Sequence, residues 1–155
     1  MPRTEYYDDP QAPEPNTLVV GVSVAIVEDG RVLMQRRTDN GLWALPGGGM
    51  DLTESVPDAG RREVREETGY EVEITGMVGL YTDARHIIAY SDGEVRRQFN
   101  ICLKGRVVSG EMAISGESTE LRWVPMEEID ELPMHATQRL RLQHIAEGRE
   151  QPFVG

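Results

Sequence analysis

A single cysteine, Cys102, rules out a disulfide within the chain and suits a reducing compartment. No apolar run approaches the roughly 20 residues of a membrane-spanning helix. The first residues lack the apolar core of a secretory leader, so a cytoplasmic location with no membrane partner is expected. Basic residues are few, 16 Lys and Arg against 27 Asp and Glu, for a formal charge of -11. That balance speaks against nucleic-acid polymers and anionic membranes as partners, because both reward clustered cations. It leaves room for a small anionic ligand, since a metal ion held by carboxylates reverses the local sign. There is no internal repeat, and 155 residues suffice for one domain with a real core.

Residues 1–16, rich in proline and acids with no aliphatic periodicity, read as a flexible N-terminal arm. A domain over 17–148 and a short tail over 149–155 follow. Two β-branched runs flank Asp29-Gly30, a strong hairpin signal, and a second hairpin is expected around Asp92-Gly93. "LWALPGGG" reads as an extended run braked by Pro46 and glycines. Ser55 with Asp58 makes a capping box and Gly69 a C-terminal stop, so a helix lies between them. "EVEITGMVGLYT" reads as a strand bent near Gly76 and Gly79. After the acidic loop "GEMAISGESTE" come a short strand, a helical turn at "MEEIDEL", and a closing helix with Leu140 and Ile145 inward. This order predicts one mixed sheet with helices packed on it, an α/β fold.

The stretch "RREVREETGY" carries the chemistry. A charge run on a helix is usually a solvated face, and helical geometry tests that. At about 100° per residue, with Glu63 at zero, Glu66 falls near -60° and Glu67 near +40°. Val56, Ala59 and Gly60 fall on the same side; Asp58, Arg61 and Arg65 lie opposite. The carboxylates thus extend the inward face, where unpaired acids are costly. They call for a cation, and clustered hard oxygens suit Mg²⁺, Mn²⁺ or Ca²⁺. Arg62, four residues before Glu66, can brace it. The adjacent "PGGG" permits close backbone approach. A divalent cation beside a glycine loop points to a phosphate-bearing substrate.

Gly48, five residues, Glu54, seven residues, then Arg62-Glu63-Val64-x-Glu66-Glu67-x-Gly69-Tyr70 resembles the Nudix box, G-x5-E-x7-R-E-U-x-E-E-x-G-U. Every fixed position agrees; only Tyr70 replaces an aliphatic residue. The resemblance implies an α/β/α sandwich with a catalytic loop-helix-loop, and Mg²⁺- or Mn²⁺-dependent hydrolysis of a nucleoside diphosphate linked to another moiety. It implies Glu63 and Glu67 as metal ligands, Glu66 as a further direct or water-mediated one, and the carbonyl of Gly47 beside them. Arg62 would orient the acids with Glu54 as its partner. The general base would be Glu63 or an acid of the 110–120 loop. There Glu117 and Glu120 are favoured over Glu111 as metal or water partners.

Outside the box, Arg36, Arg37, Arg85 and Tyr81 are candidates for substrate binding, although core packing also suits Tyr81 and Trp43. His86 carries either a ligand or a surface role, and His135 and His144 none. The substrate expected is a nucleoside di- or triphosphate derivative, and a homodimer is the expected assembly. The competing reading is a catalytically silent nucleotide-binding regulator on the same fold.

Overall fold

The computed structural model describes residues 3–155, and Met1 and Pro2 of the expected arm lie outside them. The strands are β1 Arg3–Tyr7, β2 Thr17–Glu28, β3 Arg31–Arg37, β4 Trp43–Ala44, β5 Gly47–Gly49, β6 Tyr70–Tyr81, β7 His86–Tyr90, β8 Val95–Gly110, β9 Ser118–Pro125 and β10 Phe153–Val154. Helix α1 spans Val56–Thr68, a 3-10 turn spans Met126–Glu131, and helix α2 spans Ala136–Glu147.

Asp29 and Gly30 both have positive φ, 51° and 71°, as a two-residue hairpin turn requires. They fold β3 back on β2, with Val27 opposite Val32. The second hairpin also forms, Ala89 opposite Val95. Strand β2 runs parallel to β8 from Thr17 to Ile26, which makes the sheet mixed. Its order is β1-β7-β8-β2-β3-β4, with β5 on β2, β6 on β8 and β9 on β3. Register shifts near Gly76 and Gly79 bend β6 where its glycines suggested.

Strand alternation divides the core in two. Val22, Val24 and Ile26 of β2 meet Ala59 and Val64 of α1 on one face. On the other, Ala25, Cys102 and Tyr81 pack with Leu142 of α2. The result is an α/β/α sandwich.

Helix α1 begins where its capping box sits. The Ser55 hydroxyl accepts from the Asp58 N–H, and the Asp58 carboxylate accepts from the Ser55 N–H. The helix ends at Gly69, φ 82°, whose N–H donates to the Arg65 carbonyl.

Three expectations change. The supposed arm contributes strand β1, antiparallel to β7 from Arg3↔Tyr90 to Tyr7↔His86. It covers an edge that β7 would otherwise leave unpaired, and the Tyr7 hydroxyl donates to Asp83 (2.8 Å). The supposed tail adds β10 beside β6, its Phe153 ring stacked on Tyr81. On α2 the buried residues are Arg141, Leu142 and His144; Ile145 packs against the core as expected, while Leu140 is 36 % exposed. A helix that buries an arginine and a histidine gives no clean apolar periodicity to read.

Candidate active site

Gly47–Gly49 lie beside β2, Gly47 opposite Ser23 and Gly49 opposite Gly21. A Cβ at Gly47 would meet the Val22 carbonyl at 2.5 Å, and one at Gly48 would meet a Glu63 carboxylate oxygen at 2.5 Å. Glycine here leaves the volume in which Glu63 sits. Gly48→Ala is therefore expected to displace the Glu63 carboxylate and to lower kcat by about 10²-fold or more, the cost of misplacing a reacting group by an ångström. Turnover compared with unchanged far-ultraviolet circular dichroism checks it.

Helix α1 delivers the acids to this strand. Glu63 and Glu67 are buried, 9 % and 4 % exposed, while Glu66 stands at the rim. One Glu67 oxygen accepts from the Gly47 N–H (2.8 Å) and the other from the Gln35 amide (3.3 Å). Gln35 is itself held by the Ser118 hydroxyl (2.6 Å). Arg62 gathers the remainder. Its guanidinium donates to Glu63 (2.9 Å), Glu66 (3.2 Å), the Gly49 carbonyl (2.9 Å) and, through two nitrogens, Glu54.

Electrostatics sort these carboxylates. Burial pushes Glu67 up to about 8, against the opposing bonds from Gln35 and Gly47. Burial also raises Glu63, despite Arg62 beside it. Arg62 holds Glu54 below its ordinary value. A carboxyl titrating near 8 is largely protonated at neutral pH unless a cation compensates its charge. Oxygen-only donors on a water-accessible wall fit a hard dication such as Mg²⁺ or Mn²⁺.

These acids open on a cavity of about 460 Å³ that runs over the sheet toward α2. Glu117 lines it. Glu120 does not: it sits on β9 opposite Arg36, ion-paired to Arg122 at 2.9 Å. Glu117 lies just before β9, its carbonyl accepting from the Thr38 N–H (3.0 Å), whereas Glu120 lies within the strand.

The substrate-binding candidates fare unevenly. Arg37 lines the cavity, with its guanidinium on Asp39 (2.7 Å). Arg36 is exposed and turns back to the Gly41 carbonyl (3.0 Å), away from the acids. Arg85 is locked on Asp83 and the Tyr7 hydroxyl, beside a second cavity. Tyr81 is 6 % exposed in the core, its hydroxyl 2.8 Å from His144 Nδ1. Arg36, Arg85 and Tyr81 are thus removed from the acidic centre. Trp43 is core as well, beneath the Arg122 guanidinium.

Four residues meet at the far end of the cavity: His86, which the sequence left between a ligand and a surface role, and Glu5, His135 and Arg141, which had no sequence signal. They come from β7, β1, the α2 cap and α2. Gln35 had a weak one, a polar residue closing the apolar run of β3.

The sequence matches the family described as NUDIX domain over residues 17–144. It is 36 % identical to a MutT-like protein of Streptomyces ambofaciens over 129 residues, 81 % of this chain and 77 % of that protein. It is 33 % identical to the nucleoside triphosphatase NudI of Enterobacter sp. (strain 638), covering 64 % of this chain and 73 % of that one. A crystal structure of a MutT NUDIX hydrolase from Burkholderia pseudomallei superposes with a TM-score of 0.69 at 27 % identity, over 83 % of this chain and 98 % of that chain.

Proposed function

Because this chain belongs to the NUDIX domain family, we propose that it is a divalent-metal-dependent pyrophosphohydrolase of a nucleoside di- or triphosphate derivative, releasing a nucleoside monophosphate. One observation carries this reading: two buried acids and a third at the rim converge, around one arginine, on a strand made of three glycines.

In the proposed reaction Glu63, Glu66 and Glu67 would hold Mg²⁺ or Mn²⁺, with the Gly47 carbonyl as a further oxygen. When bound, the cation lowers the pKa of a coordinated water and offsets charge on the phosphate oxygens. The chain's own residues do the rest. Arg62 keeps Glu63 and Glu66 turned toward the cavity, and Glu54 keeps Arg62 from swinging out to solvent. The Gly47 N–H and Gln35 fix the rotamer of Glu67. A water oxygen adds to one phosphorus, the bridging P–O bond breaks, and the departing phosphoryl oxygen leaves in line. Glu63 and Glu117 are the two acceptors for the proton that the water releases. Arg37 can lend one face of its guanidinium to a phosphate while Asp39 holds the other.

A panel of nucleoside triphosphates, nucleotide sugars and dinucleotides, assayed with Mg²⁺ or Mn²⁺ for monophosphate release, tests the reading. Turnover of at least one class supports it. Tight nucleotide binding with no turnover under either metal would establish the silent regulator instead; the complete carboxylate set favours the enzyme. The proposal extends to a cytoplasmic homodimer, consistent with a lone, buried cysteine, and light scattering measures the assembly. No helix among the described residues is long and apolar enough to cross a membrane.

A further inference from the structure

Three arginines that line the cavity beside the acids have acidic partners. Arg3 is paired with Glu5 (2.8 Å), Arg37 with Asp39 (2.7 Å) and Arg96 with Glu94 (3.0 Å). Arg141 differs. It is 5 % exposed, lines both this cavity and its neighbour, and has neither a hydrogen bond nor an ion pair among the described residues. Its Nε is fully buried and unpartnered, and its only polar compensation is the Tyr81 ring, 5.3 Å from its Cζ. Leaving a guanidinium desolvated and unpaired is costly by several kcal/mol, so its retention here calls for a partner from outside the chain.

Beside it, His86 and His135 stack with ring centroids 4.4 Å apart, each Nε2 about 4 Å from the same Glu5 oxygen, at 4.0 and 3.9 Å. Two imidazoles and a carboxylate suggest a transition metal, but two observations oppose it. A tetrahedral ion with bonds of about 2.0–2.1 Å needs its donor atoms about 3.3 Å apart. Moreover, His135 Nδ1 accepts the Thr137 N–H (3.1 Å), so in the neutral ring Nε2 carries the proton and is a donor, not a ligand. Burial holds both imidazoles below their ordinary values, His86 down to about 4, which leaves Arg141 as the unpaired cation of this end, next to the Arg3–Glu5 ion pair. His86 Nε2, also buried and unpartnered, faces the same space.

We propose that Arg141, with the Nε2–H of His135 beside it, forms a second anion-binding subsite, and that the substrate carries a further anionic group, a phosphate monoester or a carboxylate, on the part remote from the cleaved anhydride. Strands β2 and β8 separate β5 from β6 and β7, a backbone offset of about 14 Å. The group at Arg141 is therefore distinct from the phosphates at the acidic centre. The substrate class rests on the hydrolase reading; anion binding does not.

Thermal melting of the metal-free protein in EDTA tests the subsite itself. Inorganic phosphate, against chloride at equal ionic strength, is expected to raise the melting temperature of wild type. Arg141→Met is expected to melt no lower than wild type without phosphate, since it removes an unpaired buried charge, and to ignore phosphate. Arg141→Lys, which keeps the charge, should respond weakly. An unresponsive wild type, an Arg141→Met that responds like wild type, or failure of both variants to fold overturns the proposal, the last by making Arg141 a structural support. UDP-glucuronate against UDP-glucose, which differ by one carboxylate, tests the class. Wild type should favour the glucuronate by about tenfold or more in kcat/KM, the worth of a charge-assisted hydrogen bond, and Arg141→Met should lose that preference through KM. Equal kcat/KM values overturn the class. Hydrolysis of neither sugar in any metal counts against the hydrolase reading and leaves the melting result standing.

Discussion

Glu67→Gln is expected to lower kcat by about 10³-fold while the protein folds normally. A glutamine side chain matches the shape of the glutamate and can still accept the Gly47 N–H. What it loses is the charge, and charge is what holds a dication and offsets the phosphates. Because burial has already pushed Glu67 up to about 8, a neutral amide costs the metal-free pocket only the longer contact from Gln35 (3.3 Å). Lost rate cannot then be ascribed to unfolding. Glu66→Gln, with its side chain 57 % exposed and tied to Arg62 alone, should cost less, about 10–10²-fold. Steady-state turnover beside melting curves for both variants checks the pair; equal losses would contradict the burial-based ranking.

The metal-free protein should grow less stable as pH rises toward 8. Glu67 titrates near 8 when folded against 4.5 for the unconstrained side chain. The folded state therefore holds a proton that the unfolded state has released, and stability present below about 4.5 is lost as pH climbs through about 8. The span is on the order of 5 kcal/mol, or roughly 10–20 °C in melting temperature for a domain of this size. Glu63, also raised by burial, acts in the same direction. His86 and His135 act oppositely: their lowered values withdraw stability as pH falls below their ordinary range. The window from about pH 6.5 to 8 isolates the carboxylates. Melting in EDTA should fall across that window, Glu67→Gln should flatten the slope, and Mn²⁺ should restore the upper end. A slope that persists in Glu67→Gln would assign it to other groups.

The parts of the site legible in the sequence are those carried by contiguous chain. Ser55, Asp58 and Gly69 bound α1 through caps a few residues apart, and a period of 3.6 placed Glu63 and Glu67 inward. Glu66, at the opposite edge of that arc from Glu67, emerged exposed at the rim of the cavity. The run Gly47–Gly49 announced a close approach, which proved to be the Glu63 carboxylate above Gly48. Glu54 and Arg62, eight positions apart, met as their spacing implied.

What required the tertiary structure was every contact whose partners are distant in the chain. The choice between Glu117 and Glu120 turned on where β9 begins: Glu117, just before it, lines the cavity, and Glu120, within it, pairs with Arg122. Tyr81 went to the core once β10 and α2 closed over it. Arg85 was tied to the N-terminal strand by Tyr7, and that strand was unforeseen because its partner, the edge of β7, lies some eighty residues away. Glu5, His86, His135 and Arg141 meet by the same closure. Local spacing therefore determined the metal-facing acids and their strand of glycines. Long-range packing alone decided which cations stand unpaired at the other end of the cavity, because pairing depends on where separate elements come to rest.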